Sequence, residues 1–329
     1  MSKKDCMEIN KIYQEPCLDT LKKMPDNFLD CVITSPPYWQ LRDYGYDGQW
    51  GLEPTFNLYL EHLWQMMDEV KRVLKPTGTA WINLGDTYNT ISGGVRGLER
   101  AKKDGRKQSI SKKNIIGQGF EQVKSSEVKS KSLLLLPHRF AIGCIDRGWI
   151  VRNDIIWAKR NGMPESVTDR FSKKHEYFFL MSKSEKYFFD LDSIRDKHIH
   201  ANDKRNDGNR HEYKDGTKSM NNDMLATNAV SFNPLGKNPG SVSDFWDIPT
   251  KGSTSEHYAS YNDNLLKKPI LAGCPVGGLV YDPFMGTGST AEVAIRTKRN
   301  FIGSEMSSDY IKISEQRLKP FLESYTLDI

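Results

Sequence analysis

The 329-residue chain predicts an α/β fold: a doubly wound, mostly parallel sheet with helices on both faces. Three observations carry that expectation. Short apolar runs alternate with stretches of helical period toward both ends of the chain. One apolar run ends in Gly286-Thr287-Gly288 and leads into another helical stretch, as at the first turn of a βαβ unit. Between them, residues 195–243 are rich in Asn, Asp, Gly and Lys with few apolar positions, so an inserted region interrupts the sheet.

Taken in order, the first strand spans 29–34 and stops at Ser35-Pro36-Pro37, because proline cannot donate to a ladder. From Phe56, apolar residues recur at Leu60, Leu63, Met67, Val70 and Leu74, a helical spacing with Thr55 placed to cap it. Pro76 and Gly78 end this helix, and 79–84 is the next strand. Pro137 opens a helix to Ile145. Residues 149–158, 175–181 and 187–191 read as strands, the last two as a hairpin. A helix over about 262–272 leads to Gly277-Gly278, then strand 279–281, helix 290–297, strand 300–304 and helix 308–324.

Composition excludes several classes. At 37% hydrophobic and 27% charged, the chain has no apolar run near bilayer length. Met1-Ser2-Lys3-Lys4-Asp5 leads into no apolar signal core, which predicts a cytoplasmic protein without membrane attachment. Five cysteines, odd in number and never spaced Cys-x-x-Cys, predict reduced thiols and no metal site. The net charge of +5 is unevenly spread: residues 87–132 hold eight lysines and three arginines against four acids, a local +7. Such a stretch is either a solvated loop or a phosphate-facing surface; Lys102, Lys103, Arg106, Lys107, Lys112 and Lys113 are its candidate phosphate contacts.

The glycine turn is the first chemical motif. In Asp282-Pro283-Phe284-Met285-Gly286-Thr287-Gly288-Ser289, the small residues admit a ligand and let helix pack on strand. Glu305, 23 residues after Asp282, suits a carboxylate accepting ribose hydroxyls. The pattern fits a nicotinamide dinucleotide about as well as S-adenosylmethionine, so an oxidoreductase is a rival reading. Asp282 favours the second ligand, since an acid at the strand end would meet an ammonium and repel a pyrophosphate; Phe284 adds an apolar wall.

The second motif is Thr34-Ser35-Pro36-Pro37-Tyr38-Trp39. Ser35 and the Pro36 carbonyl are acceptors for an exocyclic amino group, Pro37 stiffens the corner, Tyr38 is placed to stack on an extruded base, and Trp39 to wall its pocket. Tyr44, Tyr46 and Trp50 beyond it line a groove or lid, or pack in the core. Pro16-Cys17 reads as an ordinary buried cysteine.

On these two motifs, in this order, the chain resembles the permuted, beta class of amino-directed DNA methyltransferases. The likeness extends to Val73-Leu74-Lys75-Pro76-Thr77-Gly78, Asn83-Leu84-Gly85-Asp86, Trp157-x-Lys159, Pro164, Arg170 and Trp246-Asp247-Ile248-Pro249. It also covers the segment from His257 through Pro269, where the family places a methionine-binding helix. The resemblance implies a circularly permuted, Rossmann-like methyltransferase fold, S-adenosylmethionine as cofactor, and double-stranded DNA as substrate. It also implies a possible cognate restriction endonuclease as partner. A serine heading the corner is the form most often seen in enzymes that methylate cytosine N4; adenine N6 is the alternative. Where the family often shows Gly-Asp, this chain has Glu15-Pro16, leaving Glu15 or Asp19 for the adenine contact. The implied organisation is a catalytic half at 1–183 including the basic loop, a recognition region at 184–250, and a cofactor half at 251–329.

Overall fold

The computed structural model describes residues 7–89, 125–162, 165–195, 243–250 and 263–325. The chain divides into two compact units, residues 1–189 with 244–329, and residues 190–243. Of the second, the described part includes one 3-10 turn, Asp192–Ile194. Residues 184–189 and 244–250, expected within the insertion, belong to the first unit.

The first unit is built on an eight-stranded sheet. Its strands are β1 (Lys11–Tyr13), β2 (Leu29–Thr34), β3 (Leu74–Leu84), β4 (Ile150–Ala158), β5 (His175–Ser182), β6 (Phe245–Asp247), β7 (Leu279–Asp282) and β8 (Asn300–Ser304). The sheet order is β1-β8-β7-β2-β3-β5-β4-β6, and only β5 runs against its neighbours. Among the described residues six helices accompany it: α1 (Cys17–Lys23), α2 (Phe56–Val73), α3 (Leu136–Asp146), α4 (Asp263–Gly273), α5 (Ser289–Arg296) and α6 (Ser308–Tyr325).

From β7 the chain crosses through α5 to β8 in one direction along the sheet. From β2 it crosses through α2 to β3 in the other. Right-handed crossovers therefore put α2 and α5 on opposite faces. Helix contacts agree, since α2 touches α1 and α3 while α5 touches α4 and α6. The boundary between β7 and β2 is thus the topological switch point, and a crevice opens beyond their carboxyl ends.

The central strands are apolar because both faces are covered: every residue of β2 and β7 is buried. Thr55 caps α2 by accepting a hydrogen bond from Leu58 N at 3.2 Å. Two expectations need correction. β3 begins at Leu74 and runs through Pro76 and Gly78, because Leu29 pairs with Leu74 across an irregular register and carries the ladder past the proline. Residues 187–191 are not a strand; Phe188 N bonds the Thr77 carbonyl at 2.8 Å and the Phe189 ring stacks on Trp81, while β5 pairs with β3 and β4. The short β1, α1 and β6 had no period long enough to read.

Helix α3 lies so close to α2 that a Cβ on Gly143 would fall 2.3 Å from the Trp64 ring, whose Nε1 donates to the Phe140 carbonyl. Gly143→Ala is expected to push the helices apart and cost about 1–3 kcal/mol, measured by urea unfolding.

Candidate active site

The crevice is organised by one carboxylate. Asp282, at the end of β7 and 1% exposed, accepts from Thr34 Oγ1 (2.7 Å) at the end of β2. It also accepts from Thr290 Oγ1 (2.6 Å) on α5 and from Phe284 N (3.0 Å) in the glycine loop. Burial raises its pKa above the ordinary aspartate range, and the Thr290, Thr34 and Phe284 donors oppose that rise. The oxygens are occupied from within the protein, so Asp282 is a brace beneath the crevice. The expected direct meeting with a ligand ammonium is not what its geometry offers.

Above the brace lies one continuous cavity of about 460 Å³, lined by residues of both motifs. Ser35, Pro36, Pro37 and Tyr38 form one end. Tyr59 OH on α2 donates to the Pro37 carbonyl at 2.9 Å and so fixes the corner. The Tyr38 ring lies against Gly85, where an added Cβ would come 2.6 Å from it. Its hydroxyl is 2.8 Å from Glu176 Oε2, 3.1 Å from Asn83 Oδ1 and 3.3 Å from Ser35 Oγ. Glu176 also pairs with Lys159, whose ammonium sits 4.3 Å from the centre of the Trp157 ring.

At the other end are Phe284, the loop from Met285 to Thr287, Ser289 and Glu305. The Glu305 carboxylate accepts from Gly286 N and Ser307 N, both at 2.8 Å. Burial pushes its pKa up, with those backbone donors pulling the other way. The Phe284 ring is 5.4 Å from that of Trp50, which in turn stacks on His62. Tyr44, Tyr46 and Trp50 line the cavity from a loop folded on itself: Gln49 Oε1 accepts from Tyr44 N at 2.7 Å, and Gln40 N bonds the Gly51 carbonyl at 2.7 Å. Tyr46 OH reaches Ser307 Oγ across the crevice.

Two further sequence expectations change. Trp39 is 4% exposed, edge-on to Phe56, with its indole N–H on the Glu53 carbonyl; it belongs to the core and offers nothing to DNA. Gly288, with φ +80°, is needed for its left-handed turn and because a Cβ would meet Ser314 Cβ at 2.8 Å. It packs on α6 and does not line the cavity. Ser289 does line it, and accepts from Arg317. Glu15 lines the cavity beside Pro16 and Asp19 does not. Cys17 is buried, its thiol pushed up to about 12 by desolvation, which fits a packing residue. His257, Pro164, and Lys102, Lys103, Arg106, Lys107, Lys112 and Lys113 lie outside the described residues. Glu176 was missed; an acid opening an otherwise apolar strand was its signal.

A crevice at the switch point of a mostly parallel sheet, with one reversed strand, defines a methyltransferase-type α/β fold. Solved structures share it at 17–19% identity. The PvuII DNA methyltransferase, described as cytosine-N4-specific, gives a TM-score of 0.59 and 17% identity over 96% of this chain and 91% of that one. TTHA0409 from Thermus thermophilus, solved with S-adenosyl-L-methionine, gives 0.54 and 19% over 94% and 93%. The sequence goes further: the DNA methylase family matches residues 29–316, and the chain belongs to that family. Among its relatives is the type II methyltransferase M.SmaI of Serratia marcescens, 34% identical over 95% of this chain and 94% of that protein. M.XycI of Xanthomonas campestris pv. cyanopsidis is 32% identical over 94% and 87%. No helix among the described residues is long and apolar enough to cross a membrane.

Thr34→Val removes one of the donors to the buried Asp282 and is expected to cost about 1–3 kcal/mol, read as a lowered thermal midpoint.

Proposed function

We propose that the chain is a site-specific DNA methyltransferase. It moves a methyl group from S-adenosylmethionine to the exocyclic amino nitrogen of a base flipped out of duplex DNA, with cytosine N4 as the target. The observation that carries this reading is the single cavity joining Ser35 and Tyr38 to Phe284 and Glu305. One end offers acceptors for an amine; the other offers aromatic walls and a carboxylate.

The residues fit the cofactor. The cavity volume lies within the range of small-molecule sites. Glu305 keeps lone pairs for ribose hydroxyls beyond the two backbone N–H groups it already serves, and Phe284 supplies an apolar wall. Bound there, S-adenosylmethionine supplies an electrophilic methyl group on a positively charged sulfur. Ser35 Oγ and the Pro36 carbonyl hold the amino hydrogens, drawing the nitrogen lone pair out of conjugation with the ring. Tyr38 stacks on the base, its far face pinned on Gly85. The chain order, catalytic corner before insertion before glycine loop, fits the permuted class. In this reading the insertion reads the sequence, the basic stretch at 87–132 meets phosphates, and a cognate restriction nuclease accompanies the enzyme. It acts where DNA and reduced thiols occur together, in the cytoplasm.

The test is incubation with mixed-sequence duplex DNA and methyl-labelled cofactor, followed by nucleoside mass spectrometry. Label in 4-methylaminocytosine is expected; label in 6-methyladenine would move the target to adenine, and no label in any nucleoside would remove the reading. Ser35→Ala combined with Tyr38→Ala is expected to abolish transfer.

Glu305 gives a pH dependence of known sign. Its ionised form accepts the ribose hydroxyls, and burial raises its pKa. Cofactor affinity is therefore expected to be level above that raised value and to fall as pH drops through it. Titration calorimetry between about pH 4 and pH 8 covers the ordinary glutamate value and the region above it; Glu305→Gln should flatten the response.

A further inference from the structure

The acceptor role given to Ser35 raises a question of proton placement. A serine hydroxyl is donor and acceptor at once, and its hydrogen turns to suit its neighbours. If that hydrogen pointed at the base, Ser35 would oppose the amino group it has to hold. What surrounds Tyr38 decides the matter.

Tyr38 has one hydroxyl hydrogen. Glu176 Oε2, at 2.8 Å, accepts from it, and the other oxygen of that carboxylate is engaged by Lys159. Asn83 Oδ1, at 3.1 Å, is the second neighbour. Its amide is oriented by Nδ2 donating to the Tyr177 carbonyl at 2.9 Å, so the oxygen faces Tyr38. With acceptors on that side, the Tyr38 hydrogen is drawn away from Ser35. In the 3.3 Å contact between Ser35 Oγ and Tyr38 OH, the serine is then the donor. Its hydrogen is spent on Tyr38, and its lone pairs are left for the cavity.

We infer that Glu176, held by Lys159, is a positioning residue that acts through Tyr38 to set the Ser35 hydroxyl as a hydrogen-bond acceptor for the substrate amino group. The inference rests on the methyltransferase reading above and adds to it a cavity-lining carboxylate that acts through Tyr38. It also gives the Tyr38 hydroxyl a task distinct from that of its ring. The ring stacks; the hydroxyl passes on the polarity of a carboxylate on β5.

Placement supports the assignment. Glu176 is the second residue of β5 and pairs with Trp157 of β4; its neighbour Tyr177 pairs with Leu84 of β3, next to Asn83. The carboxylate is thus fixed by the β4 ladder, by its neighbour's pairing with β3 and by an ion pair, and its side chain is 13% exposed. A group so held keeps one direction for its lone pairs.

The test is the isosteric variant Glu176→Gln. Lys159 claims the amide oxygen, so an N–H group replaces the acceptor facing Tyr38. Single-turnover methylation of duplex DNA with labelled cofactor is compared among wild type, E176Q, Tyr38→Phe and the double variant. E176Q is expected to lower kcat about tenfold, the worth of one charge-assisted hydrogen bond. KM for DNA and cofactor affinity should stay within about twofold, since interactions made with the reacting amine alone leave ground-state binding unchanged. Because both changes cut one relay, E176Q should add nothing to the loss in Tyr38→Phe. An unchanged kcat, a loss confined to KM, or losses that multiply in the double variant would overturn the assignment. Should E176Q not fold, Glu176→Asp serves in its place. It keeps the charge but withdraws the acceptor from Tyr38 by one methylene, and the same fall and the same non-additivity are expected. Wild-type enzyme that labels no DNA would instead overturn the methyltransferase reading, so the two failures are separable.

Discussion

The Asp282 carboxylate holds the molecule's two motifs together. It lies where the sheet reverses its direction of growth, and it takes hydrogen bonds from the strand before the serine corner, from the glycine loop and from helix α5. Residues 34 and 282 are far apart in the chain, and this contact sets the distance between the two ends of the cavity. A buried carboxylate short of donors would be costly, so the three donors and the acid must be kept together or lost together. Its cost in burial is accepted because no apolar substitute would hold a strand, a loop and a helix at once.

Much of this architecture was legible in the sequence. The apolar run before Ser35, the period of α2 and the strand–turn–helix around Gly286 are long enough or punctuated enough to read. The corner and the loop were recognised as two ends of one site, and the structure brings them to one cavity. What was not legible depended on contacts distant in sequence. Trp39 looks like a pocket wall next to Tyr38, yet the backbone after the corner turns it onto Phe56. Gly288 looks like a ligand-facing glycine, yet what approaches it is Ser314. Asp282 looked free to meet a cation until Thr34 and Thr290 were seen to occupy it.

Strand boundaries failed for a related reason. Pro76 marks a break by local rules, but a register irregularity against β2 lets β3 continue past it. The stretch 187–191 has strand composition but cannot pair with β5 as a hairpin, since both neighbours of β5 are already in place. Local propensity proposes a strand; the sheet decides whether there is a vacancy for it.

The reversed strand has a consequence for how such an enzyme can change. Parallel strands deliver side chains to the crevice from their trailing ends, where connecting loops begin and where insertions readily accumulate. β5 delivers Glu176 from its leading end, paired with Trp157 of β4 and one residue before the ladder with β3 begins. Between Lys159, which holds the carboxylate, and Lys174, whose carbonyl accepts from Lys159 N, the connection could lengthen, shorten or diversify without moving it. Only a slip of register would exchange it, and a slip of one residue would bring His175 or Tyr177 in its place. The connecting segments can therefore vary while the polar heart of the pocket keeps its geometry.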